Sequence, residues 1–191
     1  ISHPAKLNQS AKLMFTCKKI RNGSTYLSTH LTANDYYCEG EHVMGTWVGK
    51  GAELLGIADQ AIDKNDSAFE SLRLNQHPDG SDQLTRRNVE NSIRFFDFQC
   101  SAQKSISIMA VTLGDQQLYE AHDRASRLAL GELERFAAIQ SGQGHRKRRK
   151  TTGNICAAAF RHDASRELDP QLHTHFVVAN ATWDGKRWLA L

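Results

Sequence analysis

Apolar and polar positions fall into blocks along this chain, and each block predicts an element. Residues 12 to 17 (KLMFTC) read as a first strand, and the polar stretch behind them, where Ser24 can start a short helix, carries Tyr26. Ser67-Ala68-Phe69-Glu70 has the spacing of a capping box that opens a short helix with Phe69 and Leu72 inward, and His77-Pro78-Asp79-Gly80 follows as a turn. Residues 94 to 100 (RFFDFQC) predict a strand with Phe96, Phe98 and Cys100 on one face and Phe95, Asp97 and Gln99 on the other. Ser101 is the expected cap of a helix running to Gly114, and Asp115 that of a longer one reaching about residue 140. In that longer helix Leu118, Ala121, Ala125, Leu128, Leu133 and Phe136 recur at near-helical spacing, with Gly142 as a stop. Residues 154 to 161 and 172 to 180 are apolar enough for central strands, and Asp184-Gly185 signals a hairpin into a last strand at 187 to 191. The sum is an α+β fold: a central antiparallel sheet of about five strands with helices mainly on one face.

Composition narrows the class without choosing a function. With 191 residues, 40% hydrophobic and 24% charged, the chain is expected to form one globular domain. It contains no apolar run of the roughly 20 residues that a bilayer span needs, and ISHPAKLNQS at the start has no apolar stretch like that of a signal peptide, so an unexported protein is expected. Cys17, Cys38, Cys100 and Cys156 are widely spaced and include no C-x-x-C, which reads as reduced core thiols rather than a zinc ribbon or disulfide scaffold. A net charge of +3 does not by itself imply nucleic acid. Its distribution says more, because His145, Arg146, Lys147, Arg148, Arg149 and Lys150 form one uninterrupted basic block, expected as a loop.

The candidate chemistry lies in the histidines. His173-Thr174-His175 on a strand sends both imidazoles to one face and Thr174, Phe176 and Val178 to the other. His162 ends the preceding strand, and an antiparallel hairpin through DASRELDPQL would bring it beside them. Three nitrogen ligands with room for a fourth from water or substrate are the pattern of a catalytic metal site, since structural zinc sites are usually closed by four ligands. Asp97 is expected on the same face, able to accept the second N–H of a ligand histidine or to take a proton from a nucleophile.

Taken together, these residues resemble the TraI/TrwC type of conjugative relaxase, a branch of the HUH endonucleases. The resemblance rests on Asn34-Asp35-Tyr36-Tyr37, the block from Trp47 to Gly56, Phe96-Asp97-Phe98-Gln99-Cys100-Ser101-Ala102-Gln103-Lys104-Ser105, His162-Asp163 with Ser165-Arg166, and Pro170-Gln171-Leu172-His173-Thr174-His175 running on to Asn180. It implies that His162, His173 and His175 hold a divalent metal with Asp97 beside them, that Tyr26 makes the first cut, and that Tyr36 and Tyr37 are the second tyrosine pair. Leu27 stands where a second adjacent tyrosine is common, and Gln103 where proline is.

The activity implied is metal-dependent, strand-specific nicking of origin-of-transfer DNA through a 5′-phosphotyrosine intermediate that can be religated. The resemblance suggests Mg or Mn in the cell, while imidazole ligands by their softness also suit Zn, Ni, Co or Cu. Single-stranded origin DNA is the expected substrate, with Lys104 and the basic residues Arg146, Lys147, Arg148, Arg149 and Lys150 as phosphate contacts. Other proteins of the conjugation complex are the expected partners, in the bacterial cytoplasm and without a membrane segment. Residues 1 to 191 are expected to be a relaxase domain shortened at its C-terminus, with no helicase attached. Two alternatives stay open at this point: a rolling-circle initiator or transposase of the same superfamily, and a single-strand DNA-binding module whose metal is structural.

Overall fold

A computed structural model describes residues 14–21, 45–63, 65–86, 89, 91–141, 148–165, 167 and 169–191. The short helix expected around Ser24 and Tyr26 lies outside these residues, as do Tyr36, Tyr37 and Cys38. Among the described residues no helix is long and apolar enough to cross a membrane.

The main sheet has six antiparallel strands among the described residues, against about five expected. They are β1 (Met14–Ile20), β2 (Gly45–Val48), β3 (Ala61–Ile62), β4 (Phe95–Ser101), β7 (Ala157–Ala164) and β8 (Pro170–Ala179), in the spatial order β1-β4-β8-β7-β2-β3. Two small two-stranded ribbons stand apart from it: β5 (Ala138–Ser141) with β6 (Arg148–Thr151), and β9 (Thr182–Trp183) with β10 (Trp188–Leu189). The last of these is the hairpin signalled by Asp184-Gly185, with Gly185 at φ +97° in the turn.

Register gives the sheet two chemically different faces. Phe96, Phe98, Cys100, Phe176, Val178 and Ala157 meet Leu130 and Leu133 in one core. These two leucines come from α4 (Gln116–Arg135), the longer of two helices on that side; the other is α3 (Lys104–Leu113). On the opposite face Phe95, Val177, Ala158 and Phe160 form a second core with Trp47, Phe69 and Leu72. The short helices α1 (Lys50–Leu54) and α2 (Ser67–Arg73) supply this cover. The long helices therefore lie on one face, as expected, while the short ones close part of the other and leave its remainder for side chains that do not belong in a core.

Several local expectations are corrected. Ser67 is the first residue of α2 and not its cap; Asp66 caps it, its carboxylate accepting from Phe69 N–H at 2.6 Å. With the cap one residue earlier, the amide it satisfies is that of Phe69 in place of the Glu70 amide expected of a box opened by Ser67. Ser101 ends β4, and Gln103 occupies the cap position of α3 without a side-chain bond. Gly114, at φ +66°, ends α3 as expected. Asp115 does cap α4, but the helix stops at Arg135 because Ala138–Ser141 pairs with Arg148–Thr151. Leu128 and Phe136, expected inward, are 74% and 67% exposed, and the buried stripe is His122, Ser126, Leu130 and Glu134. Of the described cysteines, Cys100 and Cys156 are buried free thiols as expected, whereas Cys17 is exposed on β1.

Candidate metal and nucleic-acid site

The β7–β8 hairpin builds the centre of the site. His162 pairs directly with His173, and alternation along β8 puts His175 on the same face two residues on. The register shifts just beyond, between His162 and Ala164, so the irregularity falls after the histidine pair and leaves it in line. The rings of His162 and His173 stack with centroids 5.2 Å apart, and His175 stands edge-on to both at 5.5 and 5.1 Å. Three histidines on two adjacent strands thus form one cluster of imidazoles.

β4, on the other side of β8, contributes the carboxylate. Asp97 pairs with Val177, which puts it on the histidine face one diagonal step from His175. His175 Nδ1 donates to Asp97 Oδ1 at 2.8 Å, and His173 Nδ1 donates to the Gln171 carbonyl at 2.8 Å. Both acceptors lack a proton to give, so Nδ1 carries the hydrogen in each ring and Nε2 keeps its lone pair for a ligand. Burial pushes the His173 imidazolium down below the ordinary histidine range, outweighing the opposing Gln171 bond. A neutral ring is what a metal requires.

The donor set fits a divalent cation. Imidazoles bound at the usual distance have ring centres about 3.2 Å from the ion, and so roughly 4.5 to 5.2 Å apart between octahedral and tetrahedral angles. The observed separations lie at or just above that range. Among the described residues no three His, Cys, Asp or Glu side chains have their ligand atoms gathered on one point.

The other sequence-predicted residues lie elsewhere. Lys104, the first residue of α3, forms an exposed ion pair with Asp169 of the β7–β8 loop at 3.4 Å. Arg148, Arg149 and Lys150 are exposed on β6, so half of the expected basic loop is strand; Arg146 and Lys147 lie outside the described residues. Arg149 donates to the Phe136 carbonyl at 2.7 Å and Lys150 to the Asp184 carbonyl at 2.9 Å, which braces β6 between α4 and the β9–β10 hairpin. The sheet does not bring this basic ribbon to the histidines. Sequence reasoning missed Gln171, which acts through its backbone, and the polar face of α4 behind the sheet. The spacing 122, 126, 130, 134 was the available signal for the latter.

Comparison with known proteins agrees with this fold. The TrwC relaxase family model matches residues 20–191. The chain is 37% identical over 167 residues to the multifunctional conjugation protein TraI of Escherichia coli, covering 84% of this chain and 9% of that protein. A second TraI, from Escherichia coli strain K12, is 35% identical over 180 residues, 93% of this chain and 10% of its own length. Among solved structures, the metal-bound conjugative relaxase TrwC in complex with OriT DNA superposes with a TM-score of 0.78 at 32% identity, covering 93% of this chain and 61% of that one. TrwC complexed with a 27-mer DNA comprising the recognition hairpin and the cleavage site gives 0.74 at 30% identity, over 93% and 60%. The chain therefore spans about a tenth of the curated relatives and under two thirds of the solved ones. By the match along nearly its whole length, and by the shared fold, this chain belongs to the TrwC relaxase family.

Proposed function

We propose that this chain nicks one strand of origin-of-transfer DNA, with the Tyr26 hydroxyl as nucleophile and a divalent metal ion, Mg or Mn in the cell, held by His162, His173 and His175. One observation carries the reading: three imidazoles within 5.5 Å of one another on a sheet face, one of them anchored by the buried carboxylate of Asp97. Metal-bound and OriT-bound TrwC structures of the same fold support it. When bound, the cation would neutralise the scissile phosphate and the charge that builds up in the transition state.

The chain's own residues supply the rest. Asp97 fixes the tautomer and direction of His175 and can receive the proton of the attacking hydroxyl, which titrates near pH 10 when free. A bond forms between the Tyr26 oxygen and phosphorus while the bond to the 3′-oxygen breaks. The 5′-phosphate stays on the protein as a tyrosine ester, and a 3′-hydroxyl is released. Because the ester keeps a phosphodiester's bond energy, that hydroxyl can reverse the step. Tyr36 and Tyr37 stand in reserve for a second transfer. Arg148, Arg149 and Lys150 with Arg146 and Lys147, and Lys104 on α3, contact backbone phosphates. The setting is a relaxase domain at work in the bacterial cytoplasm with other conjugation proteins.

The test is incubation of the protein and Mn with a panel of labelled candidate origin strands. A covalent protein–DNA adduct is expected, mapping by mass spectrometry to Tyr26 and lost in Tyr26→Phe. His173→Ala is expected to bind the strand without cutting it. An adduct on Tyr36 or Tyr37 would transfer the nucleophile's role, and undiminished cutting by His173→Ala would overturn the metal assignment.

A further inference from the structure

The sheet residues that flank the histidines point to the opposite face, and there each of them meets α4. Arg161 and Asp163 lie on either side of His162, and Thr174 lies between His173 and His175. Arg161 donates to Asp123 at 2.8 Å and its guanidinium lies 5.0 Å over the Tyr119 ring. The Tyr119 hydroxyl donates to Asp163 at 3.1 Å. Thr174 Oγ1 is 3.0 Å from His122 Nε2, which is also 3.3 Å from Ser126 Oγ, and Ser126 donates to Cys100 Sγ at 3.4 Å. Tyr119, His122, Asp123 and Ser126 follow the i, i+3, i+4, i+7 spacing of one helical stripe.

His122, Thr174, Ser126 and Cys100 are all buried, and their neighbours are Leu130, Phe176 and Val178. Hydroxyls and an imidazole in such a place are costly unless each finds a partner, and an apolar set of the same shape would stabilise the interface as well or better. What a polar chain adds is direction: Thr174 is held to one rotamer by one ring nitrogen. A one-residue slip of β8 would turn His173 and His175 into this apolar interface, so the contact pins the register on which the site depends.

We propose that α4 is the rear clamp of the histidine cluster, and that the Thr174–His122 contact positions His173 and His175 for the ion. Thr174 and His122 are positioning residues that touch neither metal nor DNA. The proposal rests on the histidines being a metal site.

Isothermal titration of Mn into the chain separates the two ideas. Thr174→Val removes the hydroxyl at nearly constant shape and is expected to weaken Mn binding about tenfold, the low end of effects from groups that orient ligands. Thr174→Ser keeps the hydroxyl and should bind as the parent does. Thr174→Ala, without added bulk, gives the same expected loss should the valine variant not fold. Leu130→Ala opens a cavity in the same interface without touching the polar chain, so it should melt lower yet hold Mn as tightly as the parent. Parental affinity in the folded valine or alanine variant, or an equal loss in Leu130→Ala, would overturn the clamp. A parent protein that takes up no Mn would overturn the metal reading and the clamp with it.

Discussion

A histidine buried beside threonine and serine ties the stability of this protein to acidity. Burial first, helped by the Arg161 charge, pushes the His122 imidazolium down below the ordinary range against the pull of Asp123 and Asp163. The unfolded chain titrates near pH 6.5, so below that value it binds a proton that the folded chain does not. Stability from this group is therefore present in full above about pH 6.5 and is lost as pH falls from there toward the lower folded value. His173, shifted the same way by burial, adds to the effect. The melting temperature of metal-free protein, followed by circular dichroism with a chelator present, should fall between about pH 7.5 and pH 5.5, and by less in His122→Gln. Equal falls in both proteins would show that His122 does not carry the sensitivity. At this scale the four groups of the candidate site were legible, because His-x-His and the alternation around Asp97 depend only on the period of a strand. His122 was not. The apolar residues of α4 pointed to Leu128 and Phe136, and the regular spacing of 122, 126, 130 and 134 is carried mostly by polar residues, which on a helix ordinarily mark the solvent face.

Among the elements, the block from Trp47 to Gly56 stands out in the sequence but holds none of the proposed chemistry. Two of its glycines, Gly49 and Gly51, are there for contact. Gly49 adopts φ +96°, and a Cβ on Gly51 would stand 2.5 Å from the Ile155 carbonyl carbon, so α1 can lie against the segment that leads into β7 only without a side chain there. The buried carboxylate of Glu134, at the end of α4, accepts from Lys50 N–H at 2.7 Å and from Ile155 N–H at 3.2 Å, tying the same three segments together. Gly51→Ala should therefore destabilise by about 1 to 3 kcal/mol or more in urea unfolding. Gly131→Ala, in α4 with nothing near its Cβ position, should stabilise by about 0.5 to 1 kcal/mol. Strands and the β7–β8 hairpin could be read because their periodicity is local. The end of α4 could not: Ala-Ile-Gln-Ser continues a helical pattern acceptably, and only pairing with Arg148–Thr151 makes it a strand.

Over the whole molecule, the basic ribbon and the histidine cluster occupy separate places, so binding and cutting should be separable by mutation. Arg148 is exposed on β6. Arg148→Ala is expected to weaken oligonucleotide binding and to reduce the slope of log affinity against log salt by about one, with the rate of cutting at saturation unchanged. Fluorescence anisotropy over a salt series reads the first; an unaltered slope would remove Arg148 from the phosphate contacts. The link between the two places is α4, which passes behind the histidines at His122 and leads, through its cap Phe136 and Ala137, into the ribbon that Arg149 fastens to its end. From His122 to Phe136 is about 21 Å of helix. With the ribbon gripping and the histidines cutting as proposed, that helix would act as a ruler between the held stretch and the cut, and a one-turn insertion in α4 is expected to move the preferred cleavage position along the strand in a mapped oligonucleotide digest.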